Sequence, residues 1–390
     1  MRLLCTFAGG TGHFLPLLPV ARSARARGHE IAFAGQAGMV ATVEEAGFPA
    51  FDTGGDTLLG ATKRIPLRPV DLEDEVRVVR EVYAGTVAFE RASAVAGLIE
   101  RWEPDVVLCE EMDCGALVAA ERLGALHASV LSIATGAIVA PSVVAGPLDE
   151  LRAAHGLGAD PRVEMRDRHL VLSPFPASLR DPTCPLPPTA HGLRLTSGEA
   201  EGTPLPAWVS DLEAGSTVYA TFGTVFNLES GDLFERVLAG LRPLGLGVVV
   251  TVGRDLDPRA LGPQPDTVRV ERFVPQAHLL PRCALVVSHA GSGSVVGALA
   301  HGLPMLLLPM GADQPFTASR CDDLGVARVL DALTATPDDV RAAAEAVLSG
   351  PSYRRNARRV AAEIEALPGP EEAVTLLEGL AAGRGAPAGA

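Results

Sequence analysis

Residues 285–294 read LVVSHAGSGS, and a helical pattern starts near Val295. The apolar run predicts a buried strand ending at Ser288, followed by a glycine turn into the helix. Gly291 and Gly293 let the backbone approach a ligand closely, while the free N–H groups and dipole of the new helix favour an anion. The sequence therefore predicts a strand, a turn and a helix with an anion site at the turn.

Two side chains of this turn, His289 and Ser294, can hydrogen-bond an anion directly, and a diphosphate is the natural ligand. A turn that needs glycine only for packing would explain the glycines but not these side chains. No G-x-x-x-x-G-K-[ST] motif occurs, and Leu15 and Val296 occupy the third glycine position of G-x-G-x-x-G in the two glycine turns. A P-loop or dinucleotide-binding enzyme is therefore not expected.

Short apolar runs alternate with helical patterns along the whole chain, which predicts βαβ units and parallel sheets. A first glycine turn, Gly10-Thr11-Gly12, follows the first of these strands as the later turn follows its own. With 390 residues, two domains are favoured. The fold class is expected to be α/β, with two facing Rossmann-like domains that bind ligands at the carboxyl ends of their strands. The predicted strands are 3–7, 31–34, 106–108, 128–133, 217–222, 247–252, 268–272, 285–288 and 305–308.

Two segments lack periodicity. Residues 175–206 are rich in Pro, Gly, Ser and Thr, which predicts an extended linker. Residues 52–71 predict a long loop above the first sheet, where substrate contacts usually lie. We expect an N-terminal domain of residues 1–206, including the linker, and a C-terminal domain of residues 207–370.

Composition excludes several partners. The net charge of -14 argues against nucleic acid or an anionic membrane. No signal peptide or apolar run of membrane-spanning length is present, so we expect a cytoplasmic protein. The six cysteines are scattered, with no metal-ligand pair.

Four spaced elements of the C-terminal half now form one signature. They are Phe273-Val274-Pro275-Gln276, the turn from His289 to Ser294, Gly302-Leu303-Pro304 and Gly311-Ala312-Asp313-Gln314. This signature resembles the donor-binding signature of the UDP-glycosyltransferase superfamily, which has the GT-B fold. The chain looks most like the actinobacterial enzymes that glycosylate secondary metabolites, including antibiotics. The resemblance implies an inverting, metal-independent transferase with a nucleotide-sugar donor and a hydrophobic small-molecule acceptor.

The resemblance also assigns the donor-binding residues. It implies that Phe273 stacks on the nucleobase, that the turn holds the diphosphate, and that Asp313 and Gln314 bond sugar hydroxyls. A final helix with a flexible tail, residues 371–390, should pack back on the N-terminal domain. The implied donor-binding residues are Gly223, Thr224, Phe273, Val274, Gln276, His289, Gly291, Ser292, Gly293, Ser294, Asp313 and Gln314.

One departure from the family concerns the nucleotide. Members that use UDP-sugars commonly carry Glu eight residues after the signature His, where it bonds both ribose hydroxyls. Here that position is Gly297. Because a deoxyribose lacks one of those hydroxyls, we expect a dTDP-deoxysugar donor.

The first glycine turn carries His13, and histidine is well suited to accept a proton near neutral pH. The resemblance implies that His13 is the catalytic base, beside an acceptor-side turn formed by Gly10, Thr11 and Gly12. It places the orienting carboxylate just after the strand over 106–108, where Glu110 matches best and Asp113 is the alternative.

Other possibilities stay open at this stage. Asp255-Leu256-Asp257 matches the D-x-D metal motif, but a two-letter match in a surface loop is weak, so no metal and no other cofactor is expected. An epimerase-like enzyme on the same fold would turn over donor without an acceptor, and a non-catalytic partner would bind donor only. The protein is expected to be a monomer or a homodimer.

Overall fold

The structure is a computed structural model that describes residues 1–55, 63–194 and 205–383. These residues divide into two compact units. The first comprises 1–55, 73–194 and 367–383, and the second comprises 63–72 and 205–366. Each unit is described by itself below.

The first unit is built on a parallel sheet with the strand order β3-β2-β1-β4-β5-β6-β7. Its inner strands are buried along nearly their whole length, as expected for a parallel sheet covered on both faces. The strands are β1 (Arg2–Thr6), β2 (Glu30–Gly35), β3 (Ala50–Asp52), β4 (Val106–Glu110), β5 (His127–Val130), β6 (Val171–Ser173) and β7 (Ala190–Gly192).

Helices cover this sheet. A π-helical segment, Val79–Val87, joins two of them and is kinked at Gly85, whose φ and ψ are -96° and -107°. The helices are α1 (Thr11–Phe14), α2 (Leu18–Ala26), α3 (Val40–Glu45), α4 (Leu72–Val78), α5 (Ala88–Trp102), α6 (Cys114–Leu123), α7 (Pro141–Ala154) and α8 (Glu164–Asp167).

The second unit is built on another parallel sheet, with the order β10-β9-β8-β11-β12-β13. The chain winds outward in one direction from β8 and in the other from β11, so these two neighbours flank the topological switch point where ligands of such sheets bind. The strands are β8 (Thr217–Thr221), β9 (Gly247–Thr251), β10 (Val268–Glu271), β11 (Cys283–Ser288), β12 (Met305–Leu307) and β13 (Ala327–Val329).

Helices of the second unit pack their apolar faces on this sheet around a core that includes Phe222, Phe234 and Leu285. The helices are α9 (Ala207–Ser210), α10 (Leu233–Leu241), α11 (Gln276–Leu279), α12 (Ser292–Ala300), α13 (Gln314–Asp323), α14 (Pro337–Ser349) and α15 (Pro351–Glu365). The chain then returns to the first unit, where α16 (Pro370–Ala381) packs on α2. Val374 and Leu377 of α16 are fully buried in the core of the first sheet. The expected flexible tail falls on residues 384–390, which lie outside the described residues.

The two parallel sheets confirm the α/β fold class, and each of the nine predicted strands is present. The four further strands β3, β6, β7 and β13 are three residues long each. No helix of the described residues is long and apolar enough to span a bilayer.

Two segment predictions need correction. The expected linker over 175–206 contains β7, which pairs in parallel with β6, so residues up to 194 belong to the first sheet. Residues 64–71 are irregular, as expected, but their contacts place them in the second unit, whereas we expected a loop of the first. Ile65 N–H donates to the Leu228 carbonyl at 2.7 Å, and the Arg64 guanidinium pairs with Glu235 at 2.6 Å. Backbone pairing and a single ion pair leave no periodic signal in a sequence.

Candidate functional site

His13 lies on α1, directly after the glycine turn that follows β1. Its ring packs on the backbone of Gly9, which has a φ of +133°. A Cβ atom at Gly9 would lie 2.2 Å from Cδ2 of His13, so a side chain there would displace the ring. Gly10 is the residue before α1, Thr11 opens the helix, and Gly12 has open space around it. The close packing on the Gly9 backbone therefore holds the His13 ring in position.

Glu110 lies next to His13 because β4, which it ends, pairs directly with β1. Nδ1 of His13 is 3.0 Å from Oε1 of Glu110; the carboxylate is fully buried and the histidine side chain is 20% exposed. A carboxylate at Nδ1 orients the ring, leaves Nε2 to accept a proton, and stabilises the imidazolium that forms. The pair can therefore work as a general base.

Asp113 is engaged elsewhere. Its carboxylate binds the Arg91 guanidinium through two contacts of 2.6 and 2.9 Å, and both side chains are fully buried. It also accepts from Ala116 N–H at 3.3 Å, which caps the N-terminus of α6. The structure thus brings Glu110 to His13 and Asp113 to Arg91.

The second glycine turn joins β11 to α12. Gly291 precedes α12 and, having no side chain, does not cap the N–H groups at this end of the helix. Ala290 has a φ of +69° and is fully buried, an uncommon backbone conformation for alanine of the kind that clusters at functional sites. Gly293 is exposed and Ser294 is half-buried on the first turn of α12. This end of α12 has the backbone features of an anion site.

His289 is packed between two glycines of this site. A Cβ atom at Gly223 or at Gly291 would lie 2.7 or 2.6 Å from Nε2 of His289. Burial lowers the pKa of His289 to about 4, because a charged imidazolium loses hydration there. At neutral pH the ring is therefore uncharged until an anion offsets that loss.

The residues expected to contact the nucleobase follow β10, and Thr224, expected to line the donor, follows β8. Phe273 is 45% exposed, which leaves its ring accessible for stacking, while Val274 is buried at 1%. Gln276 begins α11, and its amide donates to the hydroxyl of Tyr219 at 3.4 Å. Thr224 is exposed in the turn after β8. These residues lie at the same carboxyl-end edge of the sheet as the second glycine turn.

The two residues expected to bond the sugar lie after β12. Asp313 accepts a hydrogen bond of 2.7 Å from the Ser292 hydroxyl, which links the sugar-side residue to the glycine turn. Gln314 is buried, and its side-chain oxygen accepts from Met310 N–H at 2.8 Å. The structure thus gathers the expected donor residues from the ends of β8, β10, β11 and β12, all strands of one sheet.

Sequence reasoning missed several contributors. A glycine two residues before a helix, such as Gly9, can signal close packing, but the sequence does not show that the His13 ring is what packs on it. Tyr83 of the π-helical segment lies with its ring centroid 6.0 Å from that of His13. Ser132 contacts Glu110 from the end of β5. Arg91 and Ser132 lie 22 residues from their carboxylate partners, so no local pattern announces them.

Comparison with known proteins places this geometry in a family. Residues 235–380 match the family model described as "Erythromycin biosynthesis protein CIII-like, C-terminal domain". The chain is 30% identical to the L-demethylnoviosyl transferase of Streptomyces niveus over 400 residues, which cover 98% of each protein.

Two solved structures are similar over nearly the whole chain. The spinosyn forosaminyltransferase SpnP has a TM-score of 0.75 at 28% identity, covering 98% of this chain and 99% of that one. The glycosyltransferase SsfS6 of Streptomyces sp. SF2575, complexed with thymidine diphosphate, has a TM-score of 0.74 at 25% identity, covering 97% and 99%. With two parallel α/β sheets and these relatives, the chain belongs to the actinobacterial antibiotic glycosyltransferases of the GT-B fold.

Proposed function

We propose that this chain transfers a deoxysugar from a dTDP-sugar to a small-molecule natural product, with inversion at the anomeric carbon and with His13 as general base. The observation that carries the proposal is the 3.0 Å approach of Nδ1 of His13 to the buried Glu110 carboxylate. A histidine held in this way is oriented to accept a proton at Nε2.

The reaction balances without a redox partner. Nε2 of His13 takes the proton from the acceptor's nucleophilic group as that atom bonds to the anomeric carbon. The bond from that carbon to the diphosphate oxygen breaks, and dTDP leaves with the electron pair. Because the nucleophile attacks opposite to the leaving group, the configuration inverts. Glu110 stabilises the imidazolium, which then returns its proton to solvent.

The leaving diphosphate needs positive potential. The N-terminus of α12 supplies backbone N–H groups and the positive end of a helix dipole. His289 is close to this helix end, and an anion there would favour its charged form, which burial otherwise disfavours. These groups support a metal-independent mechanism, so excess EDTA should leave turnover unchanged.

The nucleotide preference rests on Gly297. This residue lies on α12, and a Cβ atom there would be 3.5 Å from Oε1 of Gln276, the proposed base-binding residue. Gly297 itself offers no carboxylate to bond a second ribose hydroxyl. The thymidine diphosphate bound to the similar SsfS6 supports the same nucleotide here.

A donor and acceptor panel tests the function. Purified protein is incubated with matched dTDP- and UDP-sugars and with hydroxylated polyketide and aromatic aglycones, and adducts are detected by mass spectrometry. We expect a glycoside product that forms preferentially from the dTDP donor. Donor turnover without any acceptor would favour the epimerase-like alternative, donor binding without turnover the non-catalytic one, and a clear UDP preference would refute the nucleotide assignment.

A further inference from the structure

Ser132, just after the end of β5, makes polar contacts that the pairing of His13 with Glu110 does not explain. Ser132 is only 7% exposed, and its hydroxyl donates a short hydrogen bond to Oε1 of Glu110. The same oxygen lies 3.0 Å from Nδ1 of His13 and accepts from Met112 N–H at 3.2 Å. One carboxylate oxygen is thus approached by three groups: the His13 ring after β1, the Met112 N–H after β4 and the Ser132 hydroxyl after β5.

Ser132 is itself held by the next residue after Glu110. Oε1 of Glu111 accepts from the backbone N–H groups of Ser132 and Ile133, at 2.6 Å each. Glu111 is buried at 2% exposure. Burying a carboxyl group costs free energy unless its oxygens are hydrogen-bonded, so these two backbone N–H groups offset part of the cost of burying Glu111. Glu110, which ends β4, and Glu111, which follows it, therefore both bind Ser132 just after the end of β5.

The buried position of Glu111 also affects its pKa. Desolvation by burial raises the pKa of Glu111 and outweighs the Arg180 and Arg166 guanidiniums, which act in the opposite direction. Glu111 therefore gives up its proton less readily than an exposed glutamate. Oε1 of a carboxyl group accepts the two N–H groups in either protonation state, so Glu111 can hold the backbone at Ser132.

We propose that Ser132 is a positioning residue for the transfer reaction: its hydroxyl holds Glu110 at His13, and Glu111 holds Ser132. This inference rests on the proposed role of His13. The physical reason is that a carboxylate on a flexible glutamate side chain has three rotatable bonds, and a hydrogen bond from a fixed backbone position restricts it to one rotamer. The hydroxyl thereby fixes the tautomer and orientation of the base, which are what a general base requires.

The test measures the tautomer of His13 by NMR. Protein labelled with ¹⁵N-histidine reports the tautomer of His13 from its ring nitrogen shifts, with His13→Ala used to assign the signal. In the unmodified protein we expect the tautomer with the proton on Nδ1, facing Glu110. Ser132→Ala should convert it to a mixture of tautomers, whereas Ser132→Thr, which keeps a hydroxyl at the same branch, should restore the Nδ1–H form.

Ser129→Ala is the matched control. Ser129 lies three residues earlier on β5, is fully buried, and donates its hydroxyl to the Arg166 carbonyl at 2.7 Å. This substitution removes a buried hydroxyl hydrogen bond of the same strand without touching Glu110. It should leave the His13 tautomer as it is, so an equal change in both alanine variants would overturn the inference as a mere effect of destabilised packing.

Turnover separates this inference from the function on which it rests. With a reactive dTDP-sugar and aglycone pair from the panel, Ser132→Ala should lower kcat by about 10- to 10²-fold at unchanged donor KM. In a His13→Ala background the same substitution should have no further effect, because it acts through that ring. If His13→Ala leaves kcat unchanged, the proposed base is wrong. If His13→Ala lowers kcat but Ser132→Ala alters neither kcat nor the tautomer, only the role of Ser132 is refuted.

Discussion

The two glycine turns share one local design but place their histidines in opposite electrostatic surroundings. In each, a strand ends, a glycine permits close packing, and a histidine ring lies over the glycine backbone at less than the distance a side chain would need. His13 has a buried carboxylate 3.0 Å from Nδ1 and is partly exposed. His289 is buried and has its pKa lowered to about 4.

The difference shows that the turn sets where a histidine goes, while its surroundings set what it can do. A carboxylate neighbour stabilises a charged ring that has just accepted a proton, which suits a base. A buried ring without such a neighbour stays uncharged until an anion arrives, which suits a ligand site. The two turns should therefore respond differently to the same changes.

The largest contrast is expected from alanine at each histidine. His13→Ala should lower kcat by about 10²–10⁴-fold, the usual contribution of a positioned base, with thymidine diphosphate affinity unchanged. His289→Ala should weaken thymidine diphosphate binding by on the order of 10-fold or more, because a hydrogen bond to a charged group is lost. Steady-state kinetics and calorimetry separate the two. Equal effects of both variants on kcat and on affinity would remove the contrast, and His155→Ala, at the C-terminal end of α7, serves as control.

The buried state of His289 predicts a dependence of stability on pH. The unfolded chain has a histidine pKa near 6.5 and binds a proton that the folded protein, with a pKa of about 4, does not. The free energy of unfolding should therefore fall as pH drops from about 6.5 to about 4, by on the order of 3 kcal/mol from this residue. Urea unfolding at pH 7 and pH 4.5 should show a smaller loss in His289→Asn than in the unmodified protein. Identical losses would mean that His289 is not shielded in solution.

Glycine size should matter at the first turn. Gly9→Ala places a methyl group within 2.2 Å of Cδ2 of His13 and adds strain at a φ of +133°. The ring must move off Glu110, and kcat should fall by about 10²-fold, a typical cost of misplacing a catalytic group by 1 Å. Gly38→Ala is the control, since a Cβ atom there meets nothing within 4 Å. A normal rate in Gly9→Ala at full stability would show that the ring needs no support from the turn.

The smallest expected effect sharpens the nucleotide assignment at the second turn. Gly297→Glu introduces a carboxylate where a Cβ atom makes only ordinary contacts, 3.5 Å from Gln276 and Leu280. One added hydrogen bond to a ribose hydroxyl contributes about 1 kcal/mol, so the UDP-to-dTDP preference ratio should rise about 5-fold. Gly158→Glu adds the same charge at an exposed site of the first unit and should leave the ratio unchanged. No rise in Gly297→Glu would place the origin of nucleotide preference elsewhere.

Periodicity and glycine placement allowed the two parallel sheets to be predicted, because a strand buried on both faces must be apolar along its length. The long inner strands β1, β4, β8 and β11 carry that signal. The edge strand β7 does not, since its three residues are held by backbone hydrogen bonds to β6 that any sequence can make. The segment over 64–71 failed for a related reason, because the ion pair of Arg64 with Glu235 joins residues 171 positions apart.

The sequence by itself determined the α/β class, the two glycine turns and the signature that groups Phe273, His289 and Asp313, because each strand, turn and signature element is a short run of neighbouring residues. Only the tertiary structure decided between Glu110 and Asp113. They are three residues apart and chemically alike, yet one ends a strand that pairs with β1 and reaches His13, while the other turns to Arg91 and caps α6. That choice depends on which partners pack against each carboxylate, and such long-range packing is not written in any local pattern.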